Sequence, residues 1–283
     1  MNANLKNNFK NRTGDDFLGG PPKFPKFWGK EKSAGPVLNK IDFYGRDFFV
    51  DKNVLIPRPE SEMIIDAVLN LAGKSYLLGV KPSKRKLPKN PNILDIGTGS
   101  GCLAITLKLE LENANISAVD ISKKALKIAK KNARNLGATI YPLIISDLLE
   151  NVNFTPDSTP DSAPDSTPNS TPKKSTTNRT SFPLPDVIIA NLPYVDKNWD
   201  WLDLKTLSKE PEIALFAEDG GLFLIKKLLC EISEKLKNLK KPLYIVLEAD
   251  PSQHPKLIKY ALNLNLEHIE TRGFILTFKL RSK

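Results

Sequence analysis

From Asn92 onward the chain alternates short apolar runs with longer stretches in which apolar residues return every three or four positions. The runs are "NILDIG", "NISAVD", "TIYPLIISD", "DVIIAN" and "PLYIVLEA", with "EHIE" and "GFILTFKL" closing the chain. Between them the spacing predicts a helix from about Gly101, one over "SKKALKIAKKNARNLG", one through "GGLFLIKKLLCEISEKLKNL" and one from Pro251. Strands alternating with amphipathic helices call for an α/β fold: a doubly wound, mostly parallel seven-stranded sheet. Ligands of such sheets sit at the carboxyl ends of the strands.

Ahead of this core, residues 41–90 read as a β-hairpin region followed by a helix. "KIDFYGRDFFVDKNVLIP" mixes aromatic and β-branched residues around Gly45, Pro59 starts the helix, and "KPSKRKLPKNP" ends it. Residues 1–40 carry glycines and prolines among lysines without a helical period and read as an irregular, disordered segment. Phe24, Phe27 and Trp28 stand out there as a group able to dock on the domain or a partner. Residues 91–283 form the main domain, interrupted at about 151–182. Within that interruption "TPDSTPDSAPDSTPNSTPKK" repeats every four residues with no apolar side chain beyond Ala163, so it reads as a disordered surface insertion.

Composition changes this picture little. A chain of 283 residues, 40% hydrophobic, can bury a real core, and no run approaches the roughly 20 apolar residues needed to cross a bilayer. The first residues lack the apolar stretch of a secretory signal, so the expected address is the cytoplasm, without membrane contact. Cys102 and Cys230 have no metal-ligand spacing, and His254 and His268 lack the partners of a zinc site or a hydrolytic triad. A net charge of +10 permits a nucleic-acid partner but does not favour it, because the lysines are spread over helices whose solvated faces call for them.

The chemistry lies in the strand ends. "ILDIGTGSGC" places Asp95 at the end of one strand and Gly97, Gly99 and Gly101 before a helix, a cradle whose amide N–H groups can face a nucleotide-type ligand. The dinucleotide fingerprint does not fit, since Cys102 stands where its third glycine belongs. The next strand ends in Asp120, able to accept from both ribose hydroxyls of an adenosine, and also able to act as a helix cap beside Ser122. A third strand ends in Asp147, placed to meet an adenine edge. A fourth ends in Asn191, followed by Leu192, Pro193 and Tyr194 with no charge among them.

The glycine loop, Asp120, Asp147 and the Asn-Leu-Pro-Tyr tetrapeptide resemble the class I S-adenosylmethionine-dependent methyltransferases, with their Rossmann-like sheet. The branch is the one that methylates planar amide or amino nitrogens. Within it, "FYGRDFFVDKNVLIPRPESE" and "EPEIALFAEDGGLFLIKKLL" are similar to segments of the PrmC/HemK family, the glutamine methyltransferases of peptide chain release factors. The likeness runs from about Asp42 to Gln253, broken by the repeat. It implies S-adenosylmethionine bound by Asp95, Gly97, Gly99, Gly101, Asp120, Asp147 and Asn191. Asn191 and the Leu192 carbonyl would accept the two N–H hydrogens of a glutamine, Pro193 would fix the turn that aims them, and Tyr194 would stack on the flat group. Arg58 and Glu60 are carried over as residues beside the substrate. The implied partner is a release factor, met by a monomeric enzyme. An adenine N6-methyltransferase acting on RNA or DNA is the alternative, because Leu192 matches the Asn-Leu-Pro-Tyr of adenine dimethyltransferases. The family's helical domain has no counterpart in the pattern of residues 1–40.

Overall fold

The computed structural model describes residues 39–74, 84–155, 181–200, 202 and 210–281. The readings of residues 1–38, the Phe24, Phe27 and Trp28 group among them, and of the repeat at 156–180 lie outside the described residues.

A hairpin opens the described part, with β1 (Lys40–Phe43) antiparallel to β2 (Arg46–Phe49). Pro59 begins a 3-10 turn, Pro59–Ser61, rather than the α-helix itself. The helix α1 (Glu62–Leu71) follows directly. Proline suits the start because the first N–H groups of a helix lack intrahelical acceptors anyway.

The main sheet contains β3 (Asn92–Ile96), β4 (Asn115–Asp120), β5 (Leu143–Ile145), β8 (Val187–Ala190), β9 (Leu243–Glu248), β10 (Leu266–Arg272) and β11 (Ile275–Leu280). They lie in the order β10-β11-β9-β8-β3-β4-β5. β5, β4, β3, β8 and β9 run parallel, whereas β11 is antiparallel to both β9 and β10. The sheet is therefore the mostly parallel one that the pattern predicts, with the antiparallel strand at one side. The order reverses at β3, between β4 and β8, and that switch point opens the crevice a ligand needs.

Helices α2 (Cys102–Glu110), α3 (Lys123–Leu136), α4 (Phe223–Lys235) and α5 (His254–Asn263) cover the sheet. Alternate residues of each central strand face opposite layers. Ile93, Val187 and Ile189 pack with α1 and α2, while Leu94, Ile96, Ile188 and Ala190 pack with α4 and α5.

The interrupted region has an ordered stem. β6 (Asn153–Thr155) and β7 (Ser181–Pro183) pair in parallel, and Val152 and Phe182 are each 1% exposed in the core shared with α4. Two apolar residues just outside the repeat thus fasten its ends to the domain. No helix among the described residues is long and apolar enough to cross a membrane.

Candidate active site

A cleft of about 290 Å³ opens at the carboxyl ends of β3, β4 and β8. Gly97, Gly99, Asp120, Asp147, Asn191, Leu192 and Pro193 line it, so seven sequence-predicted residues come together there. Asp95, Gly101, Tyr194, Arg58 and Glu60 are not on its wall and stand behind or beside it.

The loop from Gly97 to Gly101 has positive φ at all three glycines. It folds down onto β4: Gly97 N and Thr98 N donate to the Val119 carbonyl, and Gly99 N donates to Asp120 Oδ2 at 2.8 Å. A side chain at Gly97 would press Leu192 at 3.0 Å, which explains the close approach of the loop to the tetrapeptide. Asp120 Oδ1 accepts from Ser122 N, and Ser122 caps α3 by accepting from Ala125 N. The carboxylate therefore combines both of its sequence-level readings: it braces the start of α3 and lines the cleft. Burial raises its pKa, and the two backbone donors partly offset that.

Asp95 is fully buried, with Oδ2 accepting from Thr98 Oγ1 at 2.6 Å. Desolvation pushes its carboxyl up to about 7, against the Thr98 bond, with the neighbouring Asp120 adding to the rise. Its place beneath the loop makes it a support of the cradle. Asp147 lines the cleft but also takes an ion pair from Lys227 of α4 at 2.6 Å.

At the end of β8 the tetrapeptide is held from behind. Asn191 Nδ2 donates to Ser61 Oγ at 2.7 Å, and Ser61 Oγ donates to Glu248 Oε2 at 2.7 Å. Tyr194 Oη donates to Glu248 Oε1 at 2.9 Å. The Tyr194 carbonyl accepts from Gln253 Nε2 at 2.8 Å, and the same nitrogen reaches the Gly220 carbonyl. Gly221, with φ of 81°, leaves no room here for a side chain, since its Cβ would lie 1.9 Å from the Tyr194 carbonyl oxygen.

The two segments flanking the core motifs meet across the mouth. Arg58 Nη2 pairs with Glu210 Oε1 at 2.5 Å, and Ile56 N donates to Glu210 Oε2 at 2.9 Å. Pro57 on one side and Pro211 on the other line the cleft. Arg58 is thus bound to the facing wall. Glu60 sits close enough to raise the pKa values of both Tyr194 and Glu248.

Residues 87–254 match the family described as Methyltransferase domain. The chain belongs to that family. Among curated proteins, a release factor glutamine methyltransferase of Koribacter versatilis is 35% identical over 202 residues, 71% of this chain and 58% of that protein. One from Neisseria gonorrhoeae is 35% identical over 192 residues, 68% and 55% respectively. A bifunctional methyltransferase of Rickettsia bellii is 35% identical over 234 residues, 77% of this chain and 36% of its own length. The chain spans less than two thirds of each of these relatives.

S-adenosylmethionine is the cofactor of this methyltransferase, and the residues present fit it. The glycine loop presents backbone to the cleft, where a Cβ at Gly99 would meet only the Gly97 carbonyl oxygen at 4.0 Å, and Asp120 brings the carboxylate that ribose hydroxyls require. Sequence reasoning missed Ser61 and Glu248. The signal was present for one of them. Glu248 closes an apolar run just as Asp120 does, and the rule that singled out that strand end applies to it equally. Ser61, inside "PRPESE", has no such mark.

Proposed function

We propose that this methyltransferase moves the methyl group of S-adenosylmethionine to the side-chain amide nitrogen of the glutamine in the Gly-Gly-Gln loop of a peptide chain release factor. The observation that carries this is the orientation of Asn191. Its NH₂ is taken by Ser61, so Oδ1 is the end left for an acceptor. A side-chain amide is a poor nucleophile, because its lone pair is delocalised into the carbonyl. Two acceptors aimed at its two N–H groups hold it with the nitrogen pointing at the methyl.

Asn191 Oδ1 is one of these acceptors and the Leu192 carbonyl the other. Pro193 keeps Leu192 out of the helical region and so fixes the direction of that carbonyl. The cofactor supplies an electrophilic methyl on a sulfonium. The amide proton leaves as the methyl arrives, so the site needs no strong base beside the nitrogen. Tyr194, the last residue of the tetrapeptide, is tied by its hydroxyl to Glu248.

Support for the release factor comes from the relatives named release factor glutamine methyltransferases and from the Arg58–Glu210 pair, which joins the two segments that resemble them. An adenine amino group would meet the same two acceptors, and one observation favours that second reading. The solvent face of α3 carries Lys123, Lys124, Lys127, Lys130, Lys131 and Arg134, with no acidic residue on the helix. Incubation with labelled cofactor and either release factor or ribosomal RNA decides between them. Mass spectrometry should find one added methyl on the release factor glutamine, lost in Asn191→Ala. Methylated adenine beside an unmodified release factor would replace this reading with its rival.

A further inference from the structure

We propose that Ser61 and Glu248 are positioning residues that determine which end of the Asn191 amide faces the methyl acceptor, through a hydrogen-bond chain whose direction is set by the charge on Glu248. This rests on the reading of Asn191 as the residue that holds the acceptor nitrogen.

The chain joins residues far apart in sequence: Ser61 is 130 positions from Asn191 and 187 from Glu248. Its interior is dry, with Ser61 2% and Glu248 1% exposed. An ionised carboxylate can only accept. Glu248 therefore draws the single proton of Ser61 to Oε2 and that of Tyr194 to Oε1. Having given its proton, Ser61 can only accept from Asn191. The NH₂ end of the amide must then point at Ser61, and the carbonyl end is left for the acceptor.

Protonation of Glu248 reverses this logic. A proton on Oε2 donates to Ser61, whose own hydroxyl proton is then free to donate to Asn191. The amide turns over to accept it and presents NH₂ where an acceptor amide also presents NH₂. Two donors face one another and the acceptor is not held.

The titratable and charged groups that act on Glu248 come from three neighbouring segments, and its partner on β11 is the apolar Ile275. Tyr194 lies on the tetrapeptide side, Glu60 and Arg58 before α1, and Cys102 at the start of α2, while Asp250 just beyond β9 acts on the Tyr194 hydroxyl that Glu248 holds. Burial raises the carboxyl to about 7, Ser61 and Tyr194 oppose the rise, Glu60 adds to it and Arg58 opposes it. The reversal accordingly falls near neutral pH. A buried carboxylate is a costly way to fill a strand end, and an apolar residue would pack there more cheaply. A role in orienting Asn191 accounts for its presence.

The test uses the full chain and two readouts. In ¹⁵N-labelled protein the side-chain amide signal of Asn191, assigned by its loss in Asn191→Ala, is followed from about pH 5.5 to 8.5, a range that brackets the midpoint expected for Glu248. It should titrate near pH 7 in the wild type and stay flat in Glu248→Gln and Ser61→Ala, whose folding is read from the same spectra. In methyl transfer to the release factor, kcat should fall toward acid pH with the same midpoint. Ser61→Ala should lose kcat on the order of tenfold, from misorientation of the acceptor, with cofactor Kd unchanged, and Ser61→Thr should recover most of it. An Asn191 signal indifferent to pH in the wild type, or Ser61→Ala with wild-type kcat, would overturn the proposal. A wild type that leaves release factors unmodified yet shows the amide titration would uphold this inference and sink the substrate reading instead.

Discussion

Cutting the ion pair between Arg58 and Glu210 tests how the walls of the cleft are held together. The Arg58 side chain is 12% exposed and that of Glu210 only 1%. In Arg58→Ala a nearly dry carboxylate would keep the Ile56 N–H but lose the guanidinium. Removing one partner of a buried pair costs about 3–5 kcal/mol, chiefly because the other charge is stranded, and the slight opening at Arg58 favours the lower end of that range. In a domain of 150–250 residues each kcal/mol moves Tm by roughly 2–4 °C, so a fall of about 6–12 °C is expected. Glu210→Ala should cost less, since the charge it strands lies at the wetter end. The double variant carries no stranded charge and should be more stable than Arg58→Ala by at least about 1 kcal/mol. Urea unfolding followed by circular dichroism gives the three differences, and cofactor titration shows whether a loosened wall weakens binding. Three variants within about 0.5 kcal/mol of the wild type would mean that water screens the pair and that the walls are held by other contacts. A double variant equal to the sum of the singles would mean that the two charges do not sense each other.

Replacing Asp120 by Ala removes an acceptor that Gly99, Ser122 and the ribose hydroxyls would share, so cofactor binding should weaken by about 1–3 kcal/mol in calorimetry; wild-type affinity would remove Asp120 from the cofactor site. Asp95 and Glu248 have folded pKa values raised to about 7, above those of an unfolded chain. Between about pH 4 and 7 the native state then binds more protons than the unfolded one, so these groups make stability fall as pH rises, by up to about 1.4 kcal/mol per pH unit each, with no further loss above pH 7. Urea midpoints at several pH values should show a shallower decline in Glu248→Gln than in the wild type, and parallel curves would refute the assignment. Substituting residues 156–180 by a Gly/Ser linker of roughly a dozen residues should leave Tm and methyl transfer close to wild type, because the parallel strands β6 and β7 need a crossover but not this sequence; a lower Tm by many degrees would show that the repeat packs on the domain.

The sheet was legible because each central strand is an apolar run that stops at a polar residue: Asp120 for β4, Asn191 for β8, Glu248 for β9. Two-sided burial produces such runs, and the cleft makes them stop there. Boundaries were less legible where proline intervenes. "TIYPLIISD" yields a strand only over Leu143–Ile145, since Pro142 lacks the N–H a ladder uses, and Pro59 and Pro251 start 3-10 turns that lead into α1 and α5. The stem strands β6 and β7 are three residues each, too short to show a period, and only the burial of Val152 and Phe182 reveals them. At the site, Gly97, Gly99, Asp120, Asp147 and Asn191 were found because a ligand imposes glycine, carboxylate or amide at strand ends. Ser61, also on the cleft wall, and Glu210 were not: they are matched to partners more than a hundred positions away, and such pairing leaves no local spacing to read.

The contact between Gly221 and the Tyr194 carbonyl bears on how this protein could change its target. Gly221 fills the space against that carbonyl, and Gln253 ties the same oxygen to Gly220. Exchanging residues 191–194 for the tetrapeptide of another enzyme would therefore graft a new edge onto an unchanged socket, and the first substitution to shift Tyr194 would collide with residue 221. A change in the position of Tyr194 would therefore have to be accommodated in three separated segments at once. Directed evolution that shuffles 191–194, 220–221 and 253 together should yield functional variants far more often than libraries that vary the tetrapeptide alone.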